Sequence, residues 1–568
     1  MKILLIAPPI EDFYFTPQRA YPLGLLYLGA ALKEHGCTVK IINCPHEYPR
    51  ATLRLPENFA YLKKYYHANQ SPFALFNNYY GYGSDYARLK TDIAAFKPDM
   101  VGIGANFSAY AGPVFKTAQL IKSVNSTIKV VIGGRAATIY PELFLREPAV
   151  DYVLRGEAEE SIVKLAQALK TNALPLTIAG LCMRHKNGFH ISPPDYIADL
   201  NRLRFPAREL IGYTSYFMRA KPAVSLIASR GCGLNCGFCA ITEKLRVRGQ
   251  ENVLAEMQAC FDGGARHFNF EDDNINLNPQ FKTLLAAIIA RFGQKVQISF
   301  MNGLLSQGII GKFGNLLISG GLTHVDFSVG SCDEKLCRKV NRNEKLNNVV
   351  KACAFMSRRK ITPTVHFILG MPGQNFASCV NDVRYLAQIP AYLGPSIFYP
   401  VKESSLFAQN SGKFPFRDAD WEFFRSSVAS YDKAVSRNRI FTLFYACRII
   451  NFIKAGFFVV PKKMALKAYC RLKVKDISKN GALFAPQRLT RRELGTILLA
   501  KLFLTGMIFR VSEEKCKEGF IYRIYKENFV SRRDINAIFT RLLIRNLIPI
   551  RLTPHSRSGN IITLSKGG

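Results

Sequence analysis

Two series of short apolar runs, each followed by helical patterns, constrain this chain more than any other feature. In the first series Lys2–Ala7 (KILLIA), Thr38–Asn43 (TVKIIN), Met100–Gly104 (MVGIG), Lys129–Gly134 (KVVIGG) and Tyr152–Arg155 (YVLR) read as strands. Leu23–His35, stopped by Gly36, and Pro113–Ser123 read as helices between them. Strands that alternate with helices predict a parallel, doubly wound, Rossmann-like sheet. Such sheets bind ligands at the carboxyl ends of their strands, marked here by Gly104, Gly133–Gly134 and Gly156. A polar, Tyr-rich insertion fills the stretch from Pro45 to Tyr86.

The second series comprises Val224–Ser229, His267–Glu271, Val296–Met301, His324–Val329, Thr364–Leu369 and Ser396–Tyr399. Helical patterns over Glu251–Phe261, Leu346–Met356 and Ala377–Leu386 lie between them. Six such units predict a partial (β/α)6, TIM-like barrel with its chemistry at the carboxyl ends of the strands. Residues 171–220, with Leu174-Pro175 and Pro193-Pro194 and no clear period, read as a connector. From about Asp418 the chain reads as mostly helical. Four regions are therefore expected: 1–175, 176–220, 221–417 and 418–568. Near the end, Ser531 is placed to cap a helix over Arg532–Asn546. Ile548–Leu552 and Ile561–Leu564 then suggest a hairpin, a winged-helix-like but generic pattern.

Charge and cysteine usage narrow the setting. The 568 residues carry 77 Lys+Arg against 41 Asp+Glu, a net charge of +36. From Pro461 onward basic residues outnumber acidic ones by 23 to 7. A solvated basic face is the plain reading, with an anionic membrane surface or acidic ligands as alternatives, and nucleic acid disfavoured. Hydrophobic residues at 48% exclude a disordered chain. Fourteen cysteines in a chain of this length do not form a secreted disulfide framework. MKILLIAPP has no signal-peptide pattern. No apolar run reaches the ~18–20 residues of a spanning helix. Phe441–Val460 comes nearest, but Arg448 and Lys454 interrupt it, so it reads as a buried or interfacial helix. A cytoplasmic location is expected, with peripheral membrane contact as the alternative use of that helix and the basic tail.

The sharpest motif is Cys232-Gly-Leu-Asn-Cys236-Gly-Phe238-Cys239, directly after the first strand of the second series. Three thiolates on one glycine-bearing loop suit an iron–sulfur cube, and the shortage of a fourth protein ligand leaves one iron open. A zinc knuckle lacks its fourth ligand nearby, the next cysteine being Cys260. The remaining cysteines read as core residues, except that Cys332 near a strand end is a candidate functional thiol. The C-x3-C-x2-C spacing with an aromatic before the last cysteine resembles the radical S-adenosylmethionine superfamily. That resemblance implies a [4Fe-4S] cluster on Cys232, Cys236 and Cys239 that chelates and reductively cleaves S-adenosylmethionine, fed by an external one-electron donor of flavodoxin or ferredoxin type. It implies that Phe238 lies against the site and that Asp272 or Asp273, in Phe270-Glu-Asp-Asp-Asn274, holds the cofactor's amino group. It implies ribose contacts by Asn302 and Ser328, although Ser328–Ser331 lacks the acidic residue many relatives carry there. Gly370-Met-Pro-Gly-Gln374 resembles the loop that approaches adenine.

Ala7-Pro8-Pro9, Pro22-Leu23-Gly24, Gly133-Gly134 and Arg155-Gly-Glu-Ala-Glu159, in this order ahead of the cysteines, resemble the cobalamin-binding domain of the cobalamin-dependent branch. The resemblance implies that the nucleotide tail lies beside Gly133 and Gly134, with Ser108, Gly156 and Glu157 also at the ligand end. The Asp-x-His-x-x-Gly motif is missing, and Pro8–Tyr21 holds no histidine, so cobalamin without a histidine ligand to cobalt is implied. The activity implied is methyl transfer to an unactivated carbon of a small-molecule or lipid-like substrate. Radical cyclisation or rearrangement is the alternative. A methylthiotransferase acting on nucleic acid would need further N-terminal cluster cysteines, and only Cys37 and Cys44 are present there. A non-catalytic corrinoid-binding protein is the remaining alternative.

Overall fold

The computed structural model describes residues 1–542 apart from 67–68, 174–175, 186–187, 242, 415–420, 429–433, 460–480 and 527–530. The chain divides into two compact units. One comprises Met1–Arg54, Tyr79–Val325 and Pro400–Arg425; the other comprises Leu55–Asn78, Asp326–Tyr399 and the chain from Ser426 onward.

In the first unit, β1 (Lys2–Ala7), β2 (Thr38–Asn43), β3 (Met100–Gly104), β4 (Lys129–Gly133) and β5 (Tyr152–Leu154) are parallel, in the order β5-β4-β3-β1-β2. Their central residues Leu4, Ile6, Val101, Val130 and Ile132 are fully buried, as strands covered on both faces require. The order is that of a doubly wound sheet whose direction of winding reverses between β1 and β3. The stretch expected as a connector adds two antiparallel strands, β6 (Leu181–His185) and β7 (Gly188–Ile191), beside β5.

The same unit holds three parallel barrel strands: β8 (Lys221–Leu226), β9 (His267–Phe270) and β10 (Gln297–Phe300). β8 begins and ends three residues earlier than the apolar run suggested. Phe217–Met218 pairs with its start, and at its end the Ala228 N–H leaves the ladder for the Asp272 carboxylate.

In the second unit, β11 (Val325–Gly330), β12 (Pro363–Leu369) and β13 (Tyr392–Ile397) form a parallel sheet covered by α1 (Leu346–Arg358), α2 (Phe376–Ala387) and α3 (Arg437–Val459). β13 also starts earlier than expected. It is an edge strand, so Pro395 removes no needed donor, and Asn451 of α3 takes both the N–H (2.8 Å) and the C=O (2.7 Å) of Leu393. Helix α3 is a core helix: Phe441, Leu443, Cys447 and Ile450 are buried. Its interrupting charges serve the unit's interior. Arg448 donates to the Phe73 carbonyl, and buried Lys454 donates to the carbonyls of Ile389 (2.9 Å) and Ala391 (2.6 Å). This replaces the interfacial reading of that segment. No described helix is long and apolar enough to cross a membrane.

The C-terminal region, expected as mostly helical, contains an antiparallel sheet of β14 (Ala482–Ala485), β15 (Phe509–Cys516) and β16 (Gly519–Lys526). The helix expected from Arg532 is present over Arg532–Leu542, with Ser531 Oγ accepting from the Asp534 N–H. The hairpin expected at 548–564, like the basic stretch 461–480, lies outside the described residues.

Candidate functional site

The cysteine loop is closed at its base by a short antiparallel stem, Ser229–Arg230 against Arg246–Val247. Gly231 opens the loop at φ +82°, where a Cβ would stand 2.5 Å from the Lys244 carbonyl oxygen, so only glycine fits. Asn235 turns the chain again in the left-handed region at φ +49°. The Cys232 N–H donates to the Glu243 carbonyl (3.1 Å) and the Cys239 N–H to the Cys236 carbonyl (2.9 Å). The Ile241 N–H points at Cys239 Sγ (3.4 Å). Burial raises the Cys239 thiol pKa, and Cys236, Asp273 and Cys232 raise it further, so the three thiols lie within electrostatic reach of one another and of the acidic strand end. Among the described residues no three His, Cys, Asp or Glu side chains converge on a point that one metal ion would fill. A four-iron cube makes a different demand, because each thiolate takes a different iron. Three sulfurs spread along one pinned loop fit that demand.

The end of β9 braces the loop. Asp272 is buried and accepts from the Ala228 N–H (3.1 Å) and from Ser229 Oγ, while Asp273 accepts from the Gly231 N–H (3.1 Å). Burial raises the pKa of both carboxyls, that of Asp272 to about 6. Asn302 donates to the carbonyls of Glu271 (3.2 Å) and Asp272 (3.1 Å). Asp272, Asp273 and Asn302 are thus gathered at the cysteine loop, and both carboxylates already hold its first backbone N–H groups. Phe238 is half-buried in the loop itself.

Ser328 and Gly370 belong to the second unit. The Ser328 carbonyl accepts from Arg342 (2.6 Å). Gly370 at φ +79° starts the turn that Gln374 closes by accepting from the Met371 N–H (2.9 Å). Asp382 ties the two segments together, accepting from Ser331 Oγ (2.9 Å), the Cys332 N–H (2.9 Å) and Gln374 Nε2 (3.1 Å). Burial and Asp382 push the Cys332 thiol far above its ordinary range.

At the carboxyl ends of β3 and β4, Gly134 has φ +111°, and a Cβ there would meet Asn106 Oδ1 at 2.7 Å and the Ala105 carbonyl oxygen at 2.8 Å. The Ala105 N–H donates to the Gly133 carbonyl (2.7 Å) and the Ala136 N–H to the Ala105 carbonyl (2.9 Å), so the two loops form one braced rim. Ser108 begins a 3-10 turn on that rim beside Phe107, which is 53% exposed. An exposed aromatic ring beside a glycine-bearing rim can stack on a planar ligand. Gly156 and Glu157 are engaged by protein. A Cβ on Gly156 would strike the Asp195 backbone. Glu157 accepts two bonds from Arg246 (both 2.8 Å) and one from the Ile197 N–H (2.9 Å), and it pairs with Arg230 (3.3 Å).

No motif or spacing in the chain points to this last arrangement. Arg230 also pairs with Glu159 (2.6 Å). Arg135, directly after Gly133-Gly134, donates to the Ala240 carbonyl and to Glu243, which also accepts from Tyr196 (2.8 Å). The loops after β4 and β5 are therefore fastened to the cysteine loop by ion pairs inside one unit. The only local signal was an arginine beside each glycine or cysteine motif.

Two family models match the chain: the B12 binding domain over residues 77–166 and the radical SAM superfamily over residues 226–386. An uncharacterised methyltransferase of Pyrococcus horikoshii is 26% identical over 68% of this chain and 78% of its own length. The cytidylyl-2-hydroxyethylphosphonate methyltransferase of Streptomyces wedmorensis is 25% identical over 65% of this chain and 73% of its own. Among solved structures, the cobalamin-dependent S-adenosylmethionine radical enzyme OxsB, with aqua-cobalamin and S-adenosylmethionine bound, shares the fold. Its TM-score is 0.60 at 14% identity, over 96% of this chain and 79% of that one. The chain thus carries a B12-binding domain and a radical SAM domain in one polypeptide.

Proposed function

We propose that this chain is a cobalamin-dependent radical S-adenosylmethionine C-methyltransferase acting on a small molecule. The observation that carries the reading is the fastening of the Gly133-Gly134-Arg135 rim to the cysteine loop through Ala240 and Glu243. It links the residues suited to a corrin with the residues suited to a cluster. In this proposal Cys232, Cys236 and Cys239 each hold one iron. Asp272 and Asp273 fix the loop's first turn, and Asp273, which accepts the Gly231 N–H through Oδ2, offers Oδ1 to the amino group of S-adenosylmethionine. Asn302 holds the acidic strand end at the depth that contact needs. The cluster and cobalamin, when bound, supply the radical and the transferable methyl group.

Electrons come from an external one-electron donor of flavodoxin or ferredoxin type. The test is anaerobic reconstitution followed by turnover with S-adenosylmethionine labelled in its methyl group. The reading expects cluster and corrin absorption bands together and a product heavier by one methylene unit. Deoxyadenosine formation with a rearranged, unlabelled product would favour cyclisation instead.

A further inference from the structure

The sheet of the second unit has two unlike faces. Phe327, Val329, Val365, Phe367, Leu369 and Leu393 are buried on the face that the helices cover. The other face is the one a β/α barrel turns inward, and barrels normally fill it with branched aliphatics. Here it carries Asp326 and Ser328 on β11, Thr364 and His366 on β12, and Tyr392 and Ser396 on β13, all half-buried, with Ile368 the one aliphatic among them. Strand alternation puts these residues on one surface.

At the centre of that face His366 Nε2 lies 3.2 Å from Asp326 Oδ1. A carboxylate accepts, so Nε2 donates, and in the neutral ring Nδ1 keeps its lone pair. In register opposite His366 stands Gly394, and a Cβ there would come within 2.5 Å of Nδ1. The glycine leaves the acceptor nitrogen clear. The His366 side chain is 46% exposed although it sits mid-strand. The first unit offers a contrast. His267, also mid-sheet, is fully buried, bonds Ser299 Oγ (2.8 Å), and Ser299 passes the contact to Asn269 (2.8 Å), so that polar row is closed on itself.

We infer that the Asp326–His366 pair is a substrate-recognition site for a hydrogen-bond-donating group, an alcohol or an amine, so that the substrate is a polar small molecule and not a lipid hydrocarbon. The inference rests on the radical S-adenosylmethionine reading above, and takes this face of β11–β13 as part of its substrate site. The pair carries negative charge while the imidazole is neutral, which favours a hydroxyl or ammonium over an anion.

The test uses the loaded holoenzyme with methyl-labelled S-adenosylmethionine and two probes, the aqueous-methanol and the chloroform fractions of a cell extract. Deoxyadenosine formation reads substrate engagement, and the methyl label separately reads the methyl-transfer proposal. The aqueous fraction is expected to stimulate deoxyadenosine formation by the wild type. Loss of one hydrogen bond to a polarised acceptor predicts a roughly 10–100-fold weaker response in His366→Phe. Gly394→Ala, which fills the space beside Nδ1, is expected to lose the response similarly. His366→Asn, which keeps an acceptor near the Nδ1 position, is expected to recover part of it. Cluster and corrin spectra show whether each variant is folded and loaded. Stimulation by the chloroform fraction, by neither fraction, or equally in His366→Phe would overturn the inference. Stimulation by the aqueous fraction without transferred label would overturn methyl transfer while leaving the recognition site standing.

Discussion

Glu157→Gln separates two roles for a residue that the family resemblance places at the cofactor. The carboxylate is about as buried as its partners, with side-chain exposures of 14% for Glu157, 15% for Arg230 and 16% for Arg246. Glutamine keeps the acceptor for the Ile197 N–H but removes the charge facing two guanidinium groups. Arg230 retains Glu159, whereas Arg246 loses its carboxylate. Breaking a fully buried pair costs ~3–5 kcal/mol, and the residual exposure here lowers the expected loss to about 2–3 kcal/mol. That corresponds to a fall of roughly 3–5 °C in the unfolding midpoint for a unit of this size. The assay is thermal unfolding of the anaerobic protein beside a control, Glu160→Gln. Glu160 meets Lys164 at 3.9 Å with both side chains 57% exposed, so its loss costs under ~0.5 kcal/mol. The pH dependence follows from the same contacts. Although burial opposes it, Arg246 and Arg230 hold the Glu157 carboxyl below its ordinary value of 4.5. Its stabilisation is therefore complete above pH 4.5 and lost as the pH falls through the lowered folded value. Equal midpoints for the two variants, or loss of corrin binding by Glu157→Gln at an unchanged midpoint, would refute the fastener and return Glu157 to the cofactor.

Other perturbations have definite outcomes. Alanine at Cys232, Cys236 or Cys239 is expected to abolish the cluster's absorption and deoxyadenosine formation while corrin titration stays saturable. Gly134→Ala forces a side chain into φ +111° and against the Ala105 carbonyl, so a cost of at least ~1–3 kcal/mol and weakened corrin binding are expected by unfolding and titration. Burial lowers the His267 pKa from 6.5 to about 4, so the folded unit keeps the ring neutral while the unfolded chain protonates below 6.5. Stability should fall by about 2 kcal/mol between pH 7 and 5, and His267→Gln should flatten that slope. Lys454→Met strands the carbonyls of Ile389 and Ala391, and a loss of ~2–4 kcal/mol is expected from denaturant titration.

What the sequence disclosed was local, and what it concealed was pairing across distance. β1 and β3 occupy the residues expected of them because each is an almost continuous apolar run that needs both faces covered. The cysteine motif was legible because its three cysteines fit within one loop. β6 was not, since its burial stops at Met183 while Arg184 and His185 are exposed, and a short strand near a sheet's edge is defined by its neighbours more than by its own pattern. The β15–β16 hairpin was masked by the charges between Glu513 and Glu518, which alternation places on a solvated edge.

The acidic residues at the end of β9 show the same limit at the site itself. Four polar residues at a barrel strand's carboxyl end announce function, yet Asp272 and Asp273 first hold the backbone of Ala228, Ser229 and Gly231. A cluster loop has to be stiff before it can present three thiolates, and stiffness here is provided by buried carboxylates below it and by arginines on either flank. Arg246 finds Glu157 across 89 residues of sequence and Arg135 finds Glu243 across 108, separations at which no spacing rule operates. Each arginine follows or precedes a motif that a cofactor would touch. The charges that hold the cysteine loop are therefore also the charges that register it against the Gly133-Gly134 rim. A change on either loop is expected to be felt at the other through these pairs, without any direct contact between the two cofactors.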